Sequence, residues 1–144
     1  MKVYIINGPN LNLLGSREPE IYGKLTFEAY FSKLQKDFPT LELRYKQSNN
    51  ENELIAFLHE ADKEQANGVV LNAGAYAHTS IALFDAVKAI SIPTIELHVS
   101  NVFAREAFRQ HSYITPACVG VISGLGLEGY ALALTYLNAT SKNQ

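Results

Sequence analysis

The stretch VVLNAGAYAHTSIALFDAVKAISIPTIELHV, residues 69–99, decides how the chain folds. Val69, Val70 and Leu71 form a continuous apolar run, as a strand covered on both faces requires. Residues 94–99 resume in the same style after a helical segment over residues 81–90. That helix must stop ahead of Pro93, because the residue before a proline avoids helical backbone. Strand, helix and strand in succession bring the two strands parallel, with the helix packed over them.

Working outward, the same alternation recurs. Residues 3–6 read as the first strand. Phe27, Tyr30, Phe31, Leu34 and Phe38 recur at helical spacing until Pro39 stops them. Residues 41–45 alternate as a second strand. Asn50 is placed as an N-cap, with Glu53 three residues on in the capping-box position, ahead of a stripe of Leu54, Phe57, Leu58 and Ala61. After the strand at 94–99 the pattern predicts a short helix holding Phe103 and Phe108, a fifth strand at 117–122 and a last helix at 127–137. That last helix is apolar nearly all round, so it is either deeply buried or covered by another subunit. No repeat or linker interrupts the series. The expected architecture is α/β, a flavodoxin-like doubly wound five-stranded parallel sheet with helices on both faces, residues 1–144 forming a single domain.

Composition narrows the function. The chain has 144 residues, 47 % hydrophobic and 18 % charged, which suits one folded domain and excludes a disordered tail. Twelve basic residues against fourteen acidic leave a net charge of −2, so no nucleic-acid partner is expected. One cysteine, Cys118, can make neither an internal disulfide nor a multi-thiolate metal site. The opening apolar run at 3–6 is too short for a signal peptide, and no apolar stretch reaches the roughly 18 residues of a membrane span. A cytoplasmic protein without membrane attachment is expected.

Ligands of open parallel sheets bind beyond the carboxyl ends of the strands. Those ends carry Asn7-Gly8-Pro9-Asn10, Gln47-Ser48-Asn49-Asn50, Asn72-Ala73-Gly74 running on to His78, His98-Val99-Ser100-Asn101, and Ser123-Gly124. Neutral hydrogen-bonding groups with two histidines suit a small, hydroxyl-rich ligand. Glu96 and His98 point to one face of their strand while Ile95 and Leu97 point to the other. This pair reads either as a satisfied polar contact that fixes the next loop, or as a general acid–base histidine oriented by a carboxylate. His78 precedes Thr79-Ser80 at a helix start and by itself suits local capping. His59 and His111 read as surface residues on helices. Residues 9–23 make a long connection, as lids do, with Gly15 and Gly23 as hinges. Arg17 and Tyr22 lie within it; an arginine beside a phenol favours the phenolate, lowering its pKa from roughly 10. Arg105 and Arg109, four apart, would share a helix face. Gly124-Leu125-Gly126-Leu127-Glu128-Gly129 matches the glycine pattern of dinucleotide sites, but no strand with an acidic end follows about 20 residues on. A nicotinamide cofactor is therefore not expected.

The ordered set of motifs resembles type II 3-dehydroquinate dehydratase over nearly the whole chain. It comprises residues 7–15, Arg17-Glu18-Pro19 with Tyr22-Gly23, 72–74 through 78–80, 96–101, 105–109, His111-Ser112, and 124–126 with Gly129-Tyr130. The resemblance implies dehydration of 3-dehydroquinate to 3-dehydroshikimate through an enolate, with no metal and no organic cofactor. It implies Tyr22 as base, Arg17 keeping that tyrosine ionised, Asn10 holding a water on the enolate oxygen, and His98 as acid with Glu96 orienting its ring. Asn72, His78 and Arg109 match substrate-binding positions, and Val99 and Ser100 the turn that binds the carboxylate. Asp85 matches a residue reaching a neighbouring subunit's site, in a homododecamer built from trimers. Ala77 and Ala107 depart from the family's frequent threonine and acid. Three rivals share the fold: a flavin or nucleotide binder, disfavoured by Pro9; a phosphoacceptor domain, disfavoured by Asn7, Asn10 and Asn72 where acids belong; and a metallohydrolase using His78, His98 and Asp85.

Overall fold

A computed structural model describes residues 1–16, 18–22 and 24–143, Tyr22 through its backbone alone. Strands β1 (Lys2–Asn7), β2 (Glu42–Gln47), β3 (Gly68–Asn72), β4 (Thr94–His98) and β5 (Gly120–Ser123) pair in parallel in the order β2-β1-β3-β4-β5. Helices α1 (Pro19–Tyr22), α2 (Phe27–Asp37), α3 (Glu51–Lys63), α4 (Ile81–Ala89) and α5 (Glu128–Ser141) connect and flank them. This is the doubly wound order expected of the alternating sequence.

Side-chain alternation along the strands builds two cores. Val3, Ile5, Val70, Ile95 and Leu97 face one side, against Phe27, Tyr30 and Leu34 of α2 and Tyr130, Leu134 and Leu137 of α5. Tyr4, Ile6, Val69 and Leu71 face the other, against Leu54 and Leu58 of α3 and Leu83 and Val87 of α4. Each fully buried leucine or isoleucine contributes about 1.5–3 kcal/mol, so both layers are needed to hold the sheet. Helices α2, α3 and α4 start on polar caps: Thr26 accepts from the Ala29 amide, Asn50 from those of Asn52 and Glu53, and Ser80 from that of Leu83. The Asn50 amide goes to Ser48 Oγ, so the expected capping box with Glu53 is a one-sided cap.

The region after β4 departs from expectation. The fourth connection contains no α-helix around Phe103 and Phe108; it makes short 3-10 turns at Val102–Ala104, Ala107–Arg109 and Thr115–Ala117. Arg105 and Glu106 between the first two turns are extended, so Arg105 and Arg109 share no helix face. His111 lies outside any helix. The fifth strand begins at Gly120 rather than 117, because the turn at Thr115–Ala117 uses those residues first.

The sheet's winding reverses at β1, which lies between β2 and β3. Asn7 and Asn72 stand side by side at the carboxyl ends of these strands. The Gly8 amide donates to the Asn72 carbonyl at 2.7 Å, and a Cβ at Gly8 would lie 2.5 Å from the Ala73 carbonyl oxygen. Only glycine lets the two chains pass here before they diverge. Beyond it, Leu11 and Leu14 are buried in the core and pin the first part of the long connection. Asn10 (φ 68°) and Gly15 (φ 95°) turn the chain through left-handed backbone. Arg17 and Gly23 lie outside the described residues, so the expected hinge at Gly23 does too. Among the described residues no helix is long and apolar enough to cross a membrane.

Candidate active site

The crevice at the switch point is lined by Asn10, Asn72, Gly74, Val99 and Arg109, around a volume of about 130 Å³. These residues come from the ends of three strands and from the connection after β4. Asn72 is almost fully buried and its amide is fixed at both ends. Nδ2 donates to Tyr130 Oη at 3.1 Å and Oδ1 accepts from the Gly74 amide at 3.2 Å. Tyr130 Oη in turn donates to Asn7 Oδ1 at 2.7 Å. Burial drives the Tyr130 phenol well above its ordinary value, so it serves as a neutral donor.

His98 and His78 stack beside this crevice, ring centroids 5.7 Å apart and planes inclined by 18°. His98 Nε2 lies 2.7 Å from Glu96 Oε1, and Glu96 is fully buried. Burial alone would push this carboxyl up. Hydrogen bonds from His98, Ser112 and Thr115 outweigh burial and hold it below the usual carboxylate range. With Nε2 on the carboxylate, Nδ1 is the nitrogen left for a ligand. His78 Nδ1 donates to the His111 carbonyl at 2.8 Å, and burial, with His98 and Arg109 nearby, lowers its pKa.

Arg109 Nε is held at 2.6 Å by Glu106 Oε2, which also lies 4.0 Å from Arg105 Nε; the two arginines converge on one acid rather than on a helix face. Arg105 also donates to Ser100 Oγ at 3.2 Å. The carbonyls of His98, Val99 and Ser100 are bound by the amides of Gly124 and Gly126 and by Ser123 Oγ, which fixes the turn after β4. Asp85 stands exposed on α4, and its side chain makes no hydrogen bond or ion pair among the described residues. Arg17 and the side chain of Tyr22, expected in the site, lie outside the described residues. No group of three or more His, Cys, Asp or Glu side chains is placed to hold a metal among the described residues. Asn7 was expected at the end of the first strand; Tyr130, Ser112 and Thr115 join the site without having been expected from the strand ends. Ser112 and Tyr130 fall within the motifs that carry the resemblance, whereas Thr115 has no signal in the sequence.

The structure superposes on that of the type II dehydroquinase from Butyrivibrio crossotus with a TM-score of 0.93 and 43 % identity, over 96 % of this chain and 97 % of that one. Fold and relatives together define the class: an α/β enzyme, a lyase. The 3-dehydroquinate dehydratase of Fusobacterium nucleatum is 49 % identical over 142 residues, covering 95 % of this chain and 96 % of its own. That of Variovorax paradoxus is 54 % identical over 143 residues, covering 94 % and 97 %. The family model for class II dehydroquinase matches residues 1–138, and the chain belongs to that family, the type II 3-dehydroquinate dehydratases.

Proposed function

We propose that this enzyme converts 3-dehydroquinate to 3-dehydroshikimate by anti elimination of water through an enolate, with Tyr22 as base and His98 as acid. The observation that carries the reading is the buried His98–Glu96 pair at the end of β4, next in the chain to Val99 of the crevice wall. Tyr22, as a phenolate that Arg17 keeps ionised, takes a proton from C2 next to the ketone. The electron pair moves onto the ketone oxygen, where a water held by Asn10 stabilises the growing charge. The enolate then collapses, the C1–oxygen bond breaks, and His98 delivers its proton to the departing hydroxyl. Tyr22 then returns its proton to solvent or His98, restoring the enzyme.

Asn72, His78 and Arg109 bind the substrate hydroxyls, and the Val99–Ser100 turn binds its carboxylate. The fixed amide of Asn72 and the held tautomer of His78 support this, since both present one defined set of donors and acceptors. Asp85 serves a neighbouring subunit's site in a homododecamer built from trimers. Its lack of a partner among the described residues supports that role, as do Val121, Leu132 and Tyr136, which turn apolar surface outward. The chain acts as a single catalytic domain in the cytoplasm, in the shikimate pathway.

Purified enzyme given 3-dehydroquinate is expected to raise ultraviolet absorbance, because the product's conjugated enone absorbs where the substrate does not. The signal should survive borohydride, which would trap a lysine Schiff base. Tyr22→Phe should lower turnover by more than about 10²-fold, within the range for general-base loss, with circular dichroism unchanged. Near wild-type turnover in that variant would overturn the assignment of the base.

A further inference from the structure

A buried carboxylate needs a donor for each oxygen, because an unpaired charge away from water is strongly unfavourable. Glu96 has three such donors. Oε1 accepts from His98 Nε2 at 2.7 Å and from Ser112 Oγ at 2.6 Å, while Oε2 accepts from Thr115 Oγ1. Two of the three come from residues 111–115, a segment between β4 and β5 that has no regular structure until Thr115. The same segment supplies the His111 carbonyl that holds His78. It is itself tied down: the Tyr113 amide donates to the Ala77 carbonyl at 2.8 Å, the Ile114 amide to Ser112 Oγ at 3.2 Å, and the Ile114 side chain is fully buried.

We infer that Thr115, assisted by Ser112, is a positioning residue for the acid step: it keeps Glu96 an oriented acceptor, and so keeps Nε2 of His98 on the carboxylate and Nδ1 toward the crevice. The inference rests on the proposed role of His98 as acid. Ser112 shares its oxygen with His98, whereas Thr115 is the one donor to Oε2 among the described residues. Removing that hydroxyl leaves a buried oxygen without a partner, and the carboxyl then favours uptake of a proton. A protonated Glu96 no longer supplies a negative charge to the ring, so His98 holds the proton it must deliver less well. The other groups facing this cluster are His78, stacked on His98; Arg109, which acts on His78; and Cys118, whose thiol is pushed up to about 12 by burial and by Glu96 and so stays neutral.

The test compares Thr115→Val, Thr115→Ser, Ser112→Ala and His98→Asn with the wild type. Melting temperature, kcat and KM are measured across pH, and imidazole nitrogen NMR reports the His98 tautomer without substrate. Thr115→Val should lower kcat on the order of tenfold, as losses of an orienting partner do, with KM within about threefold. The alkaline limb of kcat should move to lower pH and the Nε2-protonated signature of His98 should weaken. Thr115→Ser, which keeps the hydroxyl, should restore most of the turnover. An unmoved pH profile and tautomer in folded Thr115→Val overturn the inference, as does a loss confined to KM. If Thr115→Val does not fold, Ser112→Ala decides by the same readouts, with a smaller shift in the same direction expected and none overturning it. His98→Asn separates the two levels. If it is inactive while Thr115→Val is unmoved, the positioning role alone fails; wild-type turnover in His98→Asn removes the acid assignment itself.

Discussion

Glu96 is the residue at which charge, burial and the proposed acid step meet. It sits in β4 two residues before the strand's His98 end with no solvent exposure, in a sheet whose other inward positions are mostly apolar. Its carboxyl is held below the ordinary value of 4.5, and the His78 imidazole below 6.5. Both shifts carry the same sign for stability. A lowered carboxyl contributes fully above its unfolded value and loses that contribution as pH falls through the lowered one. A histidine buried neutral likewise destabilises the fold once acid forces it to charge. The melting temperature should therefore fall as pH drops below 6.5, and more steeply below 4.5. Glu96→Gln, which removes one of the two groups, should flatten the steep part. Thermal melts at a series of pH values check this, and an equally steep acid limb in Glu96→Gln would show that the stabilising charge lies elsewhere.

At the scale of elements, the helix starts are written locally, whereas the close pass of Gly8 against Ala73 joins the ends of two paired parallel strands. Asn50 is legible as a cap because its side chain needs only backbone amides two and three residues on. Asn50→Ala should cost about 1 kcal/mol in urea unfolding, leaving turnover near wild type. Gly8→Ala should cost more, about 1–3 kcal/mol, since the added carbon meets backbone at the Ala73 carbonyl rather than a side chain that can turn away. It should also impair turnover, because the strain falls between Asn7 and Asn72; unchanged stability and activity in the Gly8→Ala variant would mean the two loops adjust freely. The connection after β4 escapes its helical pattern for an equally physical reason. Phe103 and Phe108 are exposed, so no buried stripe organises a helix there, and Asn101, Glu106 and Ser112 bond locally to produce short turns instead.

For the whole molecule, the last helix answers half of the question its composition raises. Tyr130, Ala133, Leu134 and Leu137 are buried, while Leu132 and Tyr136 are about half exposed, together with Val121 of the edge strand β5 and Val119 just before it. In the proposed dodecamer this surface is where copies of the chain meet. Val121→Lys should therefore shift the species seen by light scattering toward smaller assemblies, and an unchanged mass would place the contact elsewhere. Asp85→Ala chains mixed with Tyr22→Phe chains should regain part of the activity if Asp85 completes a neighbour's site. Failure to regain any, with mixed oligomers verified, would return Asp85 to its own subunit.

Periodicity alone determined the parallel sheet, its two covering layers and the set of polar residues at the strand ends, because each depends on which residues share a face a few positions apart. The pairing of Glu96 with His98 was legible for that reason: they lie two apart on one strand. What holds them was not. Ser112 and Thr115 lie 16 and 19 residues away from Glu96, and Tyr130 lies 123 residues from Asn7. Contacts of that range leave no period in the sequence. The tertiary structure decided them, since only a folded sheet brings a buried carboxylate or amide against distant hydroxyls, and the cost of leaving such groups unpaired selects the partners.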